Sequence, residues 1–226
     1  MLLGLDVGGT FTDAVIIDGH RVVATAKRRT TKDNLMNGIG EALDAVLEGY
    51  DTSNIEQVTL STTVVTNTIV EEKEQVVDLY VITGPGRNVD DIFPVEPIYL
   101  QGYTDHRGIV VEGTPADAVR GIANMVQAHS GTDLAAVSAK FGVRNPHEEL
   151  SITEELKNTY HTISNGSLLS GSLNFPRRTI SAYFNSAVTP VFTVFKKNVE
   201  DALSARNILA PLHILKADGG SLPMEH

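Results

Sequence analysis

The chain has 226 residues, a formal net charge of -10 and no cysteine. The missing cysteine excludes disulfides, thiolate metal sites and a cysteine nucleophile, and the negative balance argues against a nucleic-acid partner, whose phosphates demand a basic surface. No stretch is apolar for long enough to cross a bilayer, and the amino terminus has no basic n-region or small-residue cleavage site. A cytoplasmic protein without a membrane partner is therefore expected.

Residues 1–7 (MLLGLDV) and 11–17 (FTDAVII) are short apolar runs joined by Gly8, Gly9 and Thr10. That pattern predicts a hairpin of strands buried on both faces. Asp18-Gly19 signals a second turn, and residues 21–26 a third strand. Asp33 offers an N-cap, and Leu35, Ile39, Ala42, Leu43, Val46 and Leu47 follow at helical spacing to near Gly49. A strand at 58–61, a helix over 62–73 opening on two threonines, and a strand at 76–83 come next, closed by Gly84-Pro85-Gly86.

Residues 87–113 are less regular, with a hairpin expected through 105–113. Thr114-Pro115 starts a helix to about 127, followed by a strand at 134–139, a helix from Pro146 through 156 and a short strand over 160–164. A helical region over 177–206 contains Pro190, where a kink or break is expected. The last strand, 213–217, ends at Asp218-Gly219-Gly220, which reads as a turn. Three antiparallel strands and then alternating helices and strands argue for an α/β fold with a mixed sheet. The expected division is a core at about 1–83, an irregular connection at 84–113 and a second part at 114–226. The chain stops at Met224-Glu225-His226, just after a strand and a Gly-Gly turn, so a shortened chain is expected.

The segment that carries chemistry is Asp6-Val7-Gly8-Gly9-Thr10-Phe11-Thr12-Asp13. On the first strand Leu3, Leu5 and Val7 share one face, and Leu2, Gly4 and Asp6 the other. A carboxylate among such apolar neighbours is costly without a partner, and a hydrated divalent cation would serve. Gly8 and Gly9 allow positive φ and close approach, so that backbone N–H groups can face phosphate oxygens. Thr10 and Thr12 add hydroxyls, and Asp13 a second carboxylate. The alternative is a plain tight hairpin, with Asp6 hydrogen-bonded at a strand end and threonines chosen for strand propensity.

Thr62, Thr63 and Asn67 stand at an expected helix start, where N–H groups favour an anion or an ordinary cap suffices. His147 and Glu148 after Pro146 read as a helix start rather than a metal pair, and His106, His129, His161 and His213 have no ligand spacing. Asp90-Asp91 and the basic cluster of Lys27, Arg28, Arg29 and Lys32 read as solvated. Asn165-Gly166-Ser167 matches a glycosylation sequon that has no meaning without a secretory route.

LGLDVGGTFTDAV resembles the first phosphate loop of the hydantoinase/oxoprolinase family, within the actin, Hsp70 and sugar-kinase superfold. Ser61-Thr62-Thr63-Val64-Val65-Thr66-Asn67 is similar to that family's Gly-Thr-Thr-x-x-x-Asn segment, with Ser61 in place of glycine. Asn145-Pro146-His147-Glu148 resembles its Asn-Pro-x-His-Glu loop, and residues 178–190 its Arg-Thr helix ending in proline. The loop 84–93 lacks the Gly-Phe-Arg-Asp pattern of larger members, which bears on the substrate more than on the nucleotide.

The resemblance implies an actin-like (ribonuclease H-like) ATPase lobe, a mixed sheet opening with antiparallel strands and helices on both faces. It implies an ATP- and Mg2+-dependent hydrolase opening a cyclic amide. Asp6 would hold the magnesium hydration shell, Gly8, Gly9, Thr10, Phe11 and Thr12 would cradle the phosphates, and Asp13 would be catalytic. A C-terminal lobe carrying a second phosphate loop would lie beyond residue 226, with room for a partner subunit. A small-molecule kinase of the same superfold, or a nucleotide-dependent regulatory or assembly module, is the alternative.

Overall fold

The structure, a computed structural model, describes residues 1–30, 35–86 and 90–224, with the backbone alone at 35, 36 and 90. Asp33, Lys32 and the Asp90 side chain, all singled out in the sequence, lie outside that set. Strands β1 (Leu2–Val7), β2 (Phe11–Asp18) and β3 (Arg21–Arg29) come first, then helix α1 (Leu35–Leu47), β4 (Gln57–Thr62), α2 (Val64–Val70) and β5 (Asp78–Ile82). Short strands β6 (Ile98–Tyr99), β7 (Tyr103–Thr104) and β8 (Val110–Glu112) precede α3 (Ala116–Ser130), β9 (Leu134–Ala139) and α4 (His147–Leu156). β10 (Thr162–Asn165), the single turn α5 (Gly166–Leu169), α6 (Phe175–Ser204), β11 (Leu212–Leu215) and β12 (Ser221–Pro223) complete the chain. No helix among the described residues is long and apolar enough to cross a membrane.

Two compact units result: residues 1–73 with 191–226, and residues 74–190. The division expected at 84–113 is not where the chain separates. β11 returns to pair in parallel with β4, which draws the C-terminal segment into the first unit. The boundary therefore falls inside α6, at Pro190. The helix is not broken there, since Pro190 lies within its assigned span.

The first unit holds a six-stranded mixed sheet in the order β12-β11-β4-β1-β2-β3. β1 pairs antiparallel with β2 and parallel with β4. Leu3, Leu5, Val7, Ala14, Ile16, Val58 and Leu60 form one buried face, packed with Ile39, Leu43 and Val46 of α1 and Phe195, Val199 and Leu203 of α6. Arg206 ties the α1 side of this core by donating to both Asp44 carboxylate oxygens, at 2.7 and 2.8 Å, and to the Gly40 carbonyl.

The other face is open: Leu2 and Asp6 are exposed, and Gly4, Asp13, Val15 and Ile17 are only partly covered. The expectation that the first hairpin is buried on both faces is corrected here. Strict alternation of buried and exposed residues along β1 and β2 is the signature of a sheet covered on one side.

The second unit is built on a parallel sheet in the order β10-β9-β5-β6. Every residue of β5 and β9 is buried, because helices cover both faces. Tyr80, Val137, Ile152 and Leu156 lie in one core cluster, and Leu79, Val81, Ala136, Phe175 and Tyr183 in the other. Such doubly covered strands read as continuous apolar runs. β7 and β8 form the expected hairpin, and α5, a four-residue turn without apolar periodicity, escaped the sequence reading. Asn165 of the sequon is buried and accepts from Thr153.

This unit also buries charge. Glu149 is fully buried and accepts from the Ala139 N–H (2.7 Å), the Ser167 N–H (2.8 Å) and the Ser167 hydroxyl (2.5 Å). Arg178, 1% exposed, donates to the carbonyls of Ser172 and Ala139, both at 2.7 Å. Burial lowers its pKa, and the Glu149 charge opposes that shift. Glu148 takes the Thr114 N–H at 2.8 Å, so the Asn-Pro-His-Glu segment serves as an anchor. Asp78 accepts from Tyr160, which also bonds Tyr80, and burial pushes the Tyr80 hydroxyl up to about 12.

Two stability outcomes are expected. Glu149→Leu strands one buried and one partly buried N–H donor and leaves Arg178 without its neighbouring charge, so urea melts should show a loss of about 3 kcal/mol. A loss indistinguishable from that of an exposed control, Glu154→Ala, would contradict the assignment. Asp105 accepts the N–H groups of Ile109 and Arg107 and the Arg107 guanidinium, and these bonds hold its pKa below the ordinary carboxylate value. A depressed folded pKa means the stabilisation is complete above the unfolded value near 4 and is lost as pH falls through the folded one. The melting-temperature gap between wild type and Asp105→Ala should therefore be widest near neutrality and close in acid. A gap that widens in acid would refute this.

Candidate functional site

The end of the β1–β2 hairpin presents different groups on the two faces of the sheet. Register pairs Asp6 with Asp13 on one side and Ser61 on the other, and Asp13 with Lys27 of β3. A row Ser61, Asp6, Asp13, Lys27 therefore crosses the open face. Lys27 Nζ reaches both Asp13 carboxylate oxygens, at 2.9 and 3.0 Å, and lies 4.8 Å from the Phe11 ring centroid. Asp6 has no partner among the described residues. The row borders a groove of about 600 Å3 whose floor includes Leu2, Gly4, Val15 and Ile17. A Cβ on Gly4 would sit 2.8 Å from Val15 Cγ1, so glycine is what lets these strands pack at that point.

Because Asp6 faces solvent, burial alone does not demand a cation beside it, contrary to the sequence argument. What remains is one unpartnered carboxylate next to a second that lysine already holds. Among the described residues no group of three or more histidine or carboxylate side chains converges on a metal position. That arrangement fits a hydrated divalent ion, which keeps most of its waters and takes one or two carboxylates, and does not fit a protein-built cage.

The opposite side of the same strand end holds the glycine turn. The Gly8 N–H donates to the Phe11 carbonyl at 3.0 Å and closes the turn. Neither Gly8 nor Gly9 has a positive φ, so the expected conformational reason for glycine is replaced by a steric one. A Cβ would lie 3.1 Å from the Phe11 carbonyl at Gly8 and 3.0 Å from Asn67 Nδ2 at Gly9. The N–H groups of Gly9 and Thr10 have no partner among the described residues. Thr12 is buried, its hydroxyl 3.0 Å from that of Thr30, whose N–H donates to the Thr10 carbonyl at 2.9 Å. Thr12 is thus placed to brace the turn, while Thr10 and Phe11 are exposed.

The second motif arrives at the same place. Thr62 is the last residue of β4, not the first of a helix, and pairs with Val7. Its hydroxyl donates to the Val7 carbonyl at 3.0 Å and accepts the Val64 N–H at 3.1 Å. Thr63 precedes the seven-residue α2, and Asn67 Nδ2 donates to Thr63 Oγ1 at 3.2 Å. Gly8, Gly9, Thr30, Thr62, Thr63 and Asn67 line one cavity of about 290 Å3, together with Glu71 and Lys73.

The structure so brings together the glycine turn and the Thr-Thr-Asn segment, and sets Asp6 and Asp13 on the other face of the strand. Sequence reasoning missed Lys27, Thr30, Glu71 and Lys73. Counting the register outward from the Asp18-Gly19 turn would put Ala26 opposite Asp13, and the irregularity between Ile16 and Ile17 brings Lys27 there instead; for Lys73 no sequence signal exists.

Two solved structures share the fold. A nucleotide-free structure of acetone carboxylase, from work on ATP-dependent acetone carboxylation, aligns with a TM-score of 0.79 at 17% identity over 100% of this chain and 37% of that one. An ATP-dependent caprolactamase from Pseudomonas jessenii aligns with a TM-score of 0.75 at 17% identity over 98% of this chain and 36% of that one. The chain thus spans just over a third of either. No curated protein matches it. At such identities these likenesses establish the fold alone, an α/β chain with a mixed sheet that opens on antiparallel strands. Residues 2–160 match the family described as the hydantoinase/oxoprolinase N-terminal region, and the chain belongs to that family.

Proposed function

We propose that this chain is the nucleotide-binding lobe of an ATP-dependent hydrolase that opens a cyclic amide. The observation that carries the reading is the convergence of the Gly8-Gly9 turn with Thr63 and Asn67 on one cavity, with the N–H groups of Gly9 and Thr10 unpartnered. Unpaired backbone N–H groups at a turn are a site for anionic oxygens. Family membership and the ATP-dependent lactamase and carboxylase of the same fold support the choice of reaction.

In this reading the γ-phosphoryl group of ATP passes to the carbonyl oxygen of the substrate amide, ADP leaves, and water then opens the ring and releases phosphate. Phosphoryl transfer is accelerated mostly by positioning and charge neutralisation, which magnesium supplies when bound. Asp6 would take one position in the magnesium hydration shell. Gly8, Gly9, Thr10 and Phe11 offer backbone to the phosphates, and Thr12 holds that backbone in place through Thr30. Asp13, oriented by Lys27, would direct the attacking group. Thr62, Thr63 and Asn67 would contact phosphate or substrate from the second motif. A kinase of the same superfold would use the same groups and stop at a phosphorylated product, which product analysis separates from ring opening.

Two outcomes test the reading. The chain by itself should bind ATP but show no steady-state hydrolysis, since actin-like enzymes close two lobes over the nucleotide; sustained phosphate release would refute this. In the whole protein, Asp6→Asn removes one charge near the cation with little change of shape. Turnover should fall on the order of a hundredfold, with a shifted magnesium dependence and an unchanged melting temperature. Asp13→Asn should slow turnover with less effect on the magnesium curve. Wild-type turnover in a folded Asp6→Asn protein would return Asp6 to the plain-hairpin reading.

A further inference from the structure

The C-terminal end of α2 has an uncommon build. The Glu71 N–H donates to the Asn67 carbonyl, that of Glu72 to the Ile69 carbonyl at 3.1 Å, and that of Lys73 to the Thr68 carbonyl at 2.9 Å. The last two bonds make a Schellman cap, whose reversing residue is normally glycine because it must be left-handed. Here it is Glu72, with φ 53°. A non-glycine residue in that region is strained and persists when the surrounding structure holds it there.

The reversal has one chemical result: Glu71 and Lys73, on either side of Glu72, both line the cavity of Gly9, Thr63 and Asn67. Lys73 Nζ lies 2.6 Å from Glu71 Oε2. Both side chains are largely solvated, at 70% and 44% exposure, and such a pair contributes too little to offset left-handed backbone strain. The ion pair by itself therefore does not account for the reversal. Lys73 is also the one cation among the described residues that line this cavity. A site made of backbone N–H groups and amide and hydroxyl side chains would otherwise meet several phosphate charges with none of its own.

We propose that Lys73 is a phosphate-contacting residue of this site, held by Glu71 when the cavity is empty and donating to a phosphate oxygen when it is filled. The inference rests on reading the cavity as a nucleotide-phosphate site. An ammonium is a compact point charge on a flexible stem, suited to follow a polyphosphate, and charge-assisted bonds of this kind are the strong ones.

The test is calorimetric titration of the 226-residue chain with inorganic tripolyphosphate, with melting temperatures as the folding control. Lys73→Ala should weaken binding roughly tenfold or more, Lys73→Arg should stay within a few-fold of wild type, and Glu71→Gln, freed of a competing anion, should bind more tightly. The loss in Lys73→Ala should shrink as salt is raised, because the contact is partly exposed. Wild-type affinity in Lys73→Ala, alongside lost binding in Gly9→Val, overturns the lysine assignment and leaves the cavity reading standing. Equal losses in the Ala and Arg variants also overturn it. No tripolyphosphate binding by the wild-type chain overturns both.

Discussion

The first unit depends on the parallel pairing of β1 with β4 in a single register. Val7 opposite Thr62 sets the glycine turn beside the Thr-Thr-Asn segment, although more than fifty residues separate them in the chain. Two things hold that register. Leu3, Leu5 and Val7 share a buried face with Val58 and Leu60, each side chain contributing on the order of 2 kcal/mol by burial. Thr62 adds a hydrogen bond to the Val7 carbonyl. A slip of one residue would turn Asp6 into the core and these leucines to solvent, so no neighbouring register competes. The polar cavity is in this sense a by-product of hydrophobic pairing, placed at the strand ends where the apolar run stops.

The second unit follows a different rule. Its parallel strands are covered on both faces, and every residue of β5 and β9 is buried. Its buried charges converge on backbone: Glu149 and Arg178 hold opposite ends of Ala139, at the point where β9 ends and the chain turns through Phe141 at φ 66°. A buried carboxylate satisfied by three donors is a rigid clamp, and removing one partner costs more than the pair contributes. Glu148 and Glu149 thus serve architecture, in line with the reading of His147 and Glu148 as a helix start rather than a metal pair.

Much of the fold was legible because its signals are local. Gly-Gly and Asp-Gly turns between apolar runs mark the opening three strands, and helical spacing marks α1, α3 and α4. The burial of the hairpin was misjudged because periodicity shows which residues share a face but not whether anything covers it. Leu2, Gly4, Val15 and Ile17 look like a second core face and line an open groove instead. The start of α2 was placed early because Thr62 and Thr63 both suit a cap, and only the ladder with β1 shows that Thr62 belongs to the strand. The sequence reading carries the helix on through Lys73; the reversal before it needs a left-handed glutamate that no propensity announces.

The division of the site between the two faces of one strand end constrains any ligand that uses all of it. Asp6 and Val7 are adjacent, so their side chains point to opposite faces. The carboxylates of Asp6 and Asp13 therefore border the open groove, while the cavity of Gly9, Thr63 and Asn67 lies on the α2 side. In the proposed reading a polyphosphate with a hydrated cation would lie across the end of β1, past the Gly8-Gly9 turn. A Cβ would come within 3.1 Å of the Phe11 carbonyl at Gly8 and 3.0 Å of the Asn67 amide at Gly9, so a larger residue at either position needs its neighbour to give way. The two glycines are then favoured by close approach, not by an unusual backbone angle. A turn with ordinary dihedrals can in this way still favour glycine.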